Sequence, residues 1–389
     1  MQQFDAEIFI HSEQPLHVQQ KGGGEMALKY KMLADSLKEE IRTRARRGER
    51  RLPTEAELME LHGVSRQTVR QALSLLHEEG WIEKRQGSGT YISEVMFPRF
   101  GHVQNIAVIT PSENDHMFPT LMWEMQSVFS AAGYTAQVFS TGDSVAKERE
   151  ILLDMLKNPY CGILVEGTKN ALPHPNLDLY PQLYDRGIPV IFLGHPYASL
   201  SQFPSVCADD YSGGFLLTQY LILKGHQRIG GIFCSDEQMG HKRYYGSICA
   251  MRDYNIAFHD SQFLWYDTRS RTQLSDPIDR ETLLAFIDGP MRGCTAVICQ
   301  NDEIACFLIR ELQRRNLHVP DQISVVGFDN SYFSEISPVR ITTASYKEAK
   351  PWETAAHGLL SLIEGKNFSA ISYPWTLIYK DSVRERSDS

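Results

Sequence analysis

Leu52-Pro53-Thr54-Glu55, then Gly63-Val64-Ser65-Arg66-Gln67-Thr68-Val69-Arg70-Gln71-Ala72-Leu73, then Arg85-Gln86-Gly87-Ser88-Gly89-Thr90-Tyr91 follow one another in this order along the chain. Thr54 with Glu57 three residues on is a capping box that opens a helix, and Gly63 stops it. Ser65 is an N-cap for the next helix, which is predicted to run to Gly80. Val69, Leu73 and Leu76 recur there at i, i+4, i+7 and mark its core face, leaving Arg66, Gln67 and Arg70 on the other side. Trp81 to Arg85 and Thr90-Tyr91-Ile92 alternate like strands around a Gln86-Gly87-Ser88-Gly89 tip. The whole reads as helix, tight turn, helix, hairpin. Arg66 and Arg70 stand one helical turn apart and can face one major groove, where arginine is the usual bidentate partner of guanine O6 and N7. The glycines of the tip allow a close approach to the neighbouring minor groove.

Outward from that stretch, Leu33, Leu37 and Ile41 fall on one face of a helix predicted over 30–45. It ends among Arg42, Arg44, Arg46 and Arg47, and cations suit a helix C-terminus. Residues 1–27 lack periodicity and run into Gly22-Gly23-Gly24, so we expect a disordered or non-native extension there. Residues 96–104, with Pro98 and Gly101, are expected to be a linker. From Asn105 short β-rich runs recur between amphipathic helices: 106–110, 162–166, 189–194, 206–208, 229–234, 296–299 and 323–328. Such alternation predicts parallel sheets, with ligands bound beyond the carboxyl ends of the strands. Residues 105–389 are enough for two such sheets with a cleft between them.

Composition agrees with this division. A chain of 389 residues is too long for one ordinary core. At 42% hydrophobic and 22% charged it has a soluble protein's composition. No apolar run approaches the roughly 18 residues of a membrane span, and no signal-peptide pattern opens the chain; a cytoplasmic location is expected. The seven cysteines form no C-x-x-C pair, which speaks against a zinc site or a disulfide framework. No metal or cofactor is expected. The net charge is −9, yet residues 28–95 carry 13 basic against 11 acidic side chains. A slightly basic head on an acidic body suits a small module that binds double-stranded DNA.

Residues 28–95 resemble the winged helix-turn-helix domain of the GntR family, on the three blocks quoted above. The candidate DNA-contacting set is Glu55, Ser65, Arg66, Gln67, Thr68, Arg70, Arg85, Gln86, Gly87 and Gly89. Glu55 and Gln86 match contact positions of that family's arabinose-repressor branch. Residues 105–389 resemble the LacI/GalR sensor, which is similar to periplasmic sugar-binding proteins. The residues that carry this are Asp209 to Gly214, Lys224-Gly225-His226, Arg243-Tyr244-Tyr245-Gly246, Asn301 to Ala305, Val319 to Asn330 and Ile341-Thr342-Thr343. A GntR-type head on such a body is the arrangement of the arabinose-responsive repressors of Firmicutes. Val165 to Ala171 and Gly240 to Arg243 look like that branch.

The resemblance implies an effector site at Arg243, Asn301 and Asp329, with Phe118, Glu166, Tyr197 and Asp209 as further candidates near strand ends. Asp209 has a second reading as an N-cap, and Glu166 as a salt-bridge partner of Lys169. Trp123-Glu124 depart from the family, where an Arg-Gly pair is common, and residues 94–104 lack the apolar stripe of a LacI-type hinge helix. The implied function is a homodimeric repressor released from its operator by a small sugar, L-arabinose first, with another pentose, hexose or sugar derivative as the alternative effector. An activator of the same build is a further alternative. A sugar-processing enzyme, which paired carboxylates at strand ends could serve, leaves the DNA module without a use. A plain periplasmic binding protein lacks a reason for it too.

Overall fold

The computed structural model describes residues 23–46, 49–85, 87–94, 96, 104–113, 117–158, 160–271, 274 and 281–386. It divides into two compact units, Met1–Gly101 and His102–Ser389.

The first unit begins with helix α1, Gly23–Arg46, which opens seven residues before the expected Tyr30. Residues 1–22 of the expected extension and most of the expected linker lie outside the described residues, while Met96 is buried in this unit's core. Helix α2 is Glu55–His62, and its capping box closes as predicted, with the Thr54 amide donating to Glu57 Oε2 at 2.7 Å and the Glu57 amide to Thr54 Oγ1 at 3.3 Å. Gly63 ends it in the left-handed region at φ 61°. Helix α3, Arg66–Glu78, is capped by Ser65 Oγ accepting from the Thr68 amide. Strands β1, Ile82–Arg85, and β2, Gly89–Ile92, pair antiparallel from Ile82 opposite Ile92 to Arg85 opposite Gly89. Leu33, Leu37, Ile41, Leu58, Val69, Leu73, Leu76 and Trp81 form one buried cluster under the helices and hairpin.

The second unit has two lobes, each built on a six-stranded sheet. The first lobe orders its strands β4 (Thr135–Ser140), β3 (Asn105–Thr110), β5 (Gly162–Val165), β6 (Val190–Leu193), β7 (Ser205–Ala208) and β13 (Ile371–Tyr373), all parallel. The second orders β9 (Phe263–Tyr266), β8 (Ile229–Cys234), β10 (Ala296–Cys299), β11 (Ser324–Phe328), β12 (Thr342–Ser345) and β14 (Thr376–Ile378), with only β14 antiparallel. Strand β3 explains the apolar runs: Ala107 and Ile109 join the cluster on one face of its sheet, Ile106 and Val108 that on the other. A sheet covered on both faces needs apolar residues at every position rather than alternation.

The chain passes between lobes three times: from β7 into the helix Asp210–Leu223, from β12 into the helix Pro351–Ile363, and between β13 and β14. The first of these helices lies very close to Gln238–Asp253. A Cβ at Gly214 would sit 2.0 Å from the Arg243 carbonyl oxygen, and one at Gly246 2.0 Å from that of Tyr211. Only glycine lets the two backbones approach this far, and the approach brings Arg243 under the start of the preceding helix. The ends of β3, β5, β6, β8, β10 and β11 all open on the space between the lobes.

Candidate functional site

That space is a cavity of about 150 Å³. Arg243 lines it and is buried, at 2% exposure. Its Nε donates to Asp210 Oδ1 at 2.8 Å, Nη1 donates to the Gln300 carbonyl, and Nη2 stands 3.7 Å from Asp329 Oδ1. The guanidinium carbon lies 4.1 Å from the Phe328 ring centre and 5.0 Å from that of Trp375, a cation–π setting. Burial opposes ionisation of Asp210, but Arg243 and His195 outweigh it and hold its carboxyl below the usual range. The same balance raises Arg243: burial works against the charge, and Asp210 and Asp329 more than restore it. The fork geometry of a guanidinium, with five donors and no acceptor, suits a ligand rich in hydroxyl oxygens.

Asp329 follows β11 with φ at 95°, and Asn330 with φ at 44°. Two consecutive non-glycine residues in the left-handed region store strain, and here the turn carries a carboxylate on the cavity wall. Asn301 also lines the cavity, and its Oδ1 caps the helix Asp302–Arg314 by accepting from the Ile304 amide at 3.0 Å. Glu166 lines it from the other lobe, with Thr110 Oγ1 donating to Oε2 at 3.3 Å. Phe118, the first residue of the helix Phe118–Ala131, lines it as well. Five of the seven residues singled out in the sequence thus surround one cavity.

The other two are placed elsewhere. Tyr197 is buried within the first lobe, its hydroxyl donating to Glu148 at 2.8 Å, with the Thr168 carbonyl oxygen 3.0 Å away as the alternative acceptor. Asp209 follows its second reading: Oδ1 accepts from the Ser212 amide at 3.1 Å as an N-cap. The carboxylate on the cavity is that of the next residue, Asp210, which also takes His195 Nε2 at 2.8 Å. An Asp-Asp pair ahead of a helix signals a cap plus one further carboxylate, but not which residue faces the ligand. Lys169 reaches Asp236 Oδ2 of the second lobe at 3.1 Å. His195, Lys169, Asn170 and Gln300 are cavity residues that sequence reading missed, and none lies in a motif whose spacing marks a ligand.

Asp302 lies behind this wall. Burial first, and Asp329 second, push its carboxyl up to about 8, while Thr343 Oγ1 at 2.6 Å and the Ser331 amide at 2.8 Å bond its two oxygens. A carboxyl raised on folding binds its proton more tightly in the native state. It therefore supports stability fully at low pH, and the support is lost as pH rises from about 4 through about 8. Asp302→Asn keeps a neutral group of the same shape. The expected result is that the melting temperature of the parent falls relative to this variant between pH 5 and pH 9; parallel curves across that range would show that Asp302 is ionised throughout.

On the first unit, Arg66 and Arg70 are 72% and 67% exposed, with Glu55 between them: Oε2 lies 3.2 Å from Arg66 Nε and Oε1 3.6 Å from Arg70 Nε. One carboxylate therefore aligns both guanidiniums on the exposed side of α3. Ser65, Gln67, Gly87 and Gly89 are exposed. Thr68 is buried, its hydroxyl within 2.9 Å of Ser65 Oγ, which is a capping role. Arg85 lies 3.3 Å from Glu94 and over the Tyr91 ring at 5.0 Å. Gln86 lies outside the described residues.

Comparison with known proteins fits both units. Residues 29–92 match the family model for bacterial regulatory proteins of the gntR family, and residues 218–383 that for a periplasmic binding protein-like domain. A periplasmic binding protein/LacI transcriptional regulator from Alkaliphilus metalliredigens, solved with D-xylulofuranose, shares the sensor fold with a TM-score of 0.61 at 20% identity, over 72% of this chain and 99% of that one. The arabinose metabolism transcriptional repressor of Geobacillus stearothermophilus is 34% identical over 86% of this chain and 92% of its own length. That of Halalkalibacterium halodurans is 32% identical over 87% and 90%. With a gntR-type head, a two-lobed sensor and relatives matched over nearly their full length, the chain belongs to the family of arabinose metabolism transcriptional repressors.

Proposed function

We propose that the chain is a sugar-responsive repressor of arabinose-use genes, with L-arabinose as its effector. The observation that carries this reading is the convergence of Arg243, Asp329, Asn301, Glu166 and Phe118 on one small cavity between the lobes. Charged and amide groups meet ring hydroxyls there, and an aromatic ring meets the apolar face of a sugar. Two copies, joined as a homodimer in the cytoplasm, set two α3 helices on two operator half-sites. Sugar closing the lobes favours a dimer geometry that fits the operator poorly, and by linkage operator DNA weakens sugar binding by the same factor. The role is regulatory and includes no chemical step.

Thermal unfolding against a panel of pentoses, hexoses and sugar phosphates tests the effector without knowledge of the operator. A ligand at 100 times its Kd stabilises the native state by roughly 2.7 kcal/mol. L-Arabinose is expected to give the largest shift. A shift from a different sugar alone replaces the effector, and silence across the panel removes the sugar reading.

A further inference from the structure

We propose that Asn170 and Gln238 form a clasp between the two lobes that positions them in the closed arrangement and sets the effector concentration at which the sensor responds. Gln238 is the first residue of its helix in the second lobe, and the N-cap residue Glu237 makes no side-chain capping bond. The Gln238 amide is instead capped from across the cleft, donating to Asn170 Oδ1 of the first lobe at 2.7 Å. Asn170 is held in the orientation this needs, because its Nδ2 donates to the His195 carbonyl at 2.8 Å, and a carbonyl can only accept. Gln238 answers with its own side chain: Nε2 donates to the Asn170 carbonyl at 3.1 Å and to the Pro196 carbonyl at 2.5 Å. Beside them the Ala171 amide donates to the Asp236 carbonyl at 3.1 Å, and Lys169 pairs with Asp236. Lys169 holds φ at 50°, a left-handed turn that brings Asn170 to the helix end.

Every one of these bonds joins one lobe to the other, apart from the Asn170–His195 bond that aims the amide. They all break when the lobes part. A helix N-terminus leaves its first amides without intrahelical partners, so separation exposes Gln238 to water as it releases Asn170. Neither Gln238 nor Asp236 lines the cavity. The Gln238 side of the clasp therefore adds to closure from outside the cavity, which Asn170 lines from the opposite lobe. A term that acts on closure alone multiplies every effector's apparent Kd by one common factor, since each pays the same conformational cost.

The proposal rests on the effector reading above, and its test separates the two. In Gln238→Ala, Kd for L-arabinose and for a second, weaker sugar, measured by calorimetry, is expected to rise about tenfold for both, with their ratio unchanged. A Kd within twofold of the parent overturns the clasp, and so does a changed ratio, which makes Gln238 a sugar contact. Hydrogen exchange without sugar gives an independent reading. The Ala171 amide is expected to exchange faster in the variant, and equal protection in both proteins also overturns the clasp. If no sugar binds the parent, the effector reading fails while the exchange measurement still decides the clasp.

Discussion

Alanine at Arg243 is expected to destabilise the sensor by about 3–5 kcal/mol, the usual cost of removing one partner from a buried ion pair. The guanidinium is 2% exposed and stands between Asp210 and Asp329. Its loss leaves Asp210 with His195 as its remaining close cation, takes the guanidinium away from Asp329, and removes the ring contacts with Phe328 and Trp375. Effector-dependent release of DNA should disappear. Operator binding should persist, because the first unit has its own buried cluster, from Leu33 to Trp81. Denaturant unfolding followed by sensor tryptophan emission reads the stability, and anisotropy with labelled operator reads release. Pairing Asp210→Asn with Arg243→Met should recover part of the stability without the response, since the stranded charge rather than the lost packing is the larger penalty. A single alanine variant that still releases DNA at the parent's sugar concentration would put the effector site elsewhere.

Arg66→Ala and Arg70→Ala are each expected to weaken operator binding by about 1–3 kcal/mol and to relax the base preference. Both guanidiniums are exposed, so folding stability should change by no more than about 0.5 kcal/mol. In the free protein their partner is Glu55, and exposed ion pairs of this kind are worth about 0–1 kcal/mol. The duplex can therefore recruit the arginines at little cost. The double variant should lose less than the sum of the singles, because the two side chains share one carboxylate. Anisotropy titration at one fixed salt concentration is the measurement, since phosphate contacts make affinity strongly salt-dependent. Unchanged affinity in both single variants would remove α3 from the recognition surface.

Where local rules suffice, the structure follows the sequence closely. Thr54, Glu57, Gly63 and Ser65 occupy the caps their types and spacing predict. All seven strands read from apolar runs are present, within a residue or two at their ends. The strands that were not read are Thr135–Ser140, Phe263–Tyr266, Thr342–Ser345, Ile371–Tyr373 and Thr376–Ile378. Four of them lie at sheet edges, where one side is unpaired and mixed polarity is tolerated. Thr342–Ser345 is interior, but threonines and a serine hide it from a search for apolar runs. The first helix begins at Gly23, seven residues before the expected Tyr30.

The sequence by itself determined the class of both units, the caps and turns of the DNA module, and the residue types of an effector site. The caps and turns depend on neighbours a few positions apart, where backbone geometry alone decides which atoms meet, whereas the effector-site residues were implied only by the resemblance to the LacI/GalR sensor. Only the tertiary structure decided that Asp210 rather than Asp209 meets Arg243, that Tyr197 turns into its own lobe, and that Asn170 caps a helix of the opposite lobe. Those choices follow from three crossings of the chain between lobes and from a helix contact that Gly214 and Gly246 bring to backbone distance. They join residues tens of positions apart, and an interaction of that range leaves no period in the sequence from which it could be read.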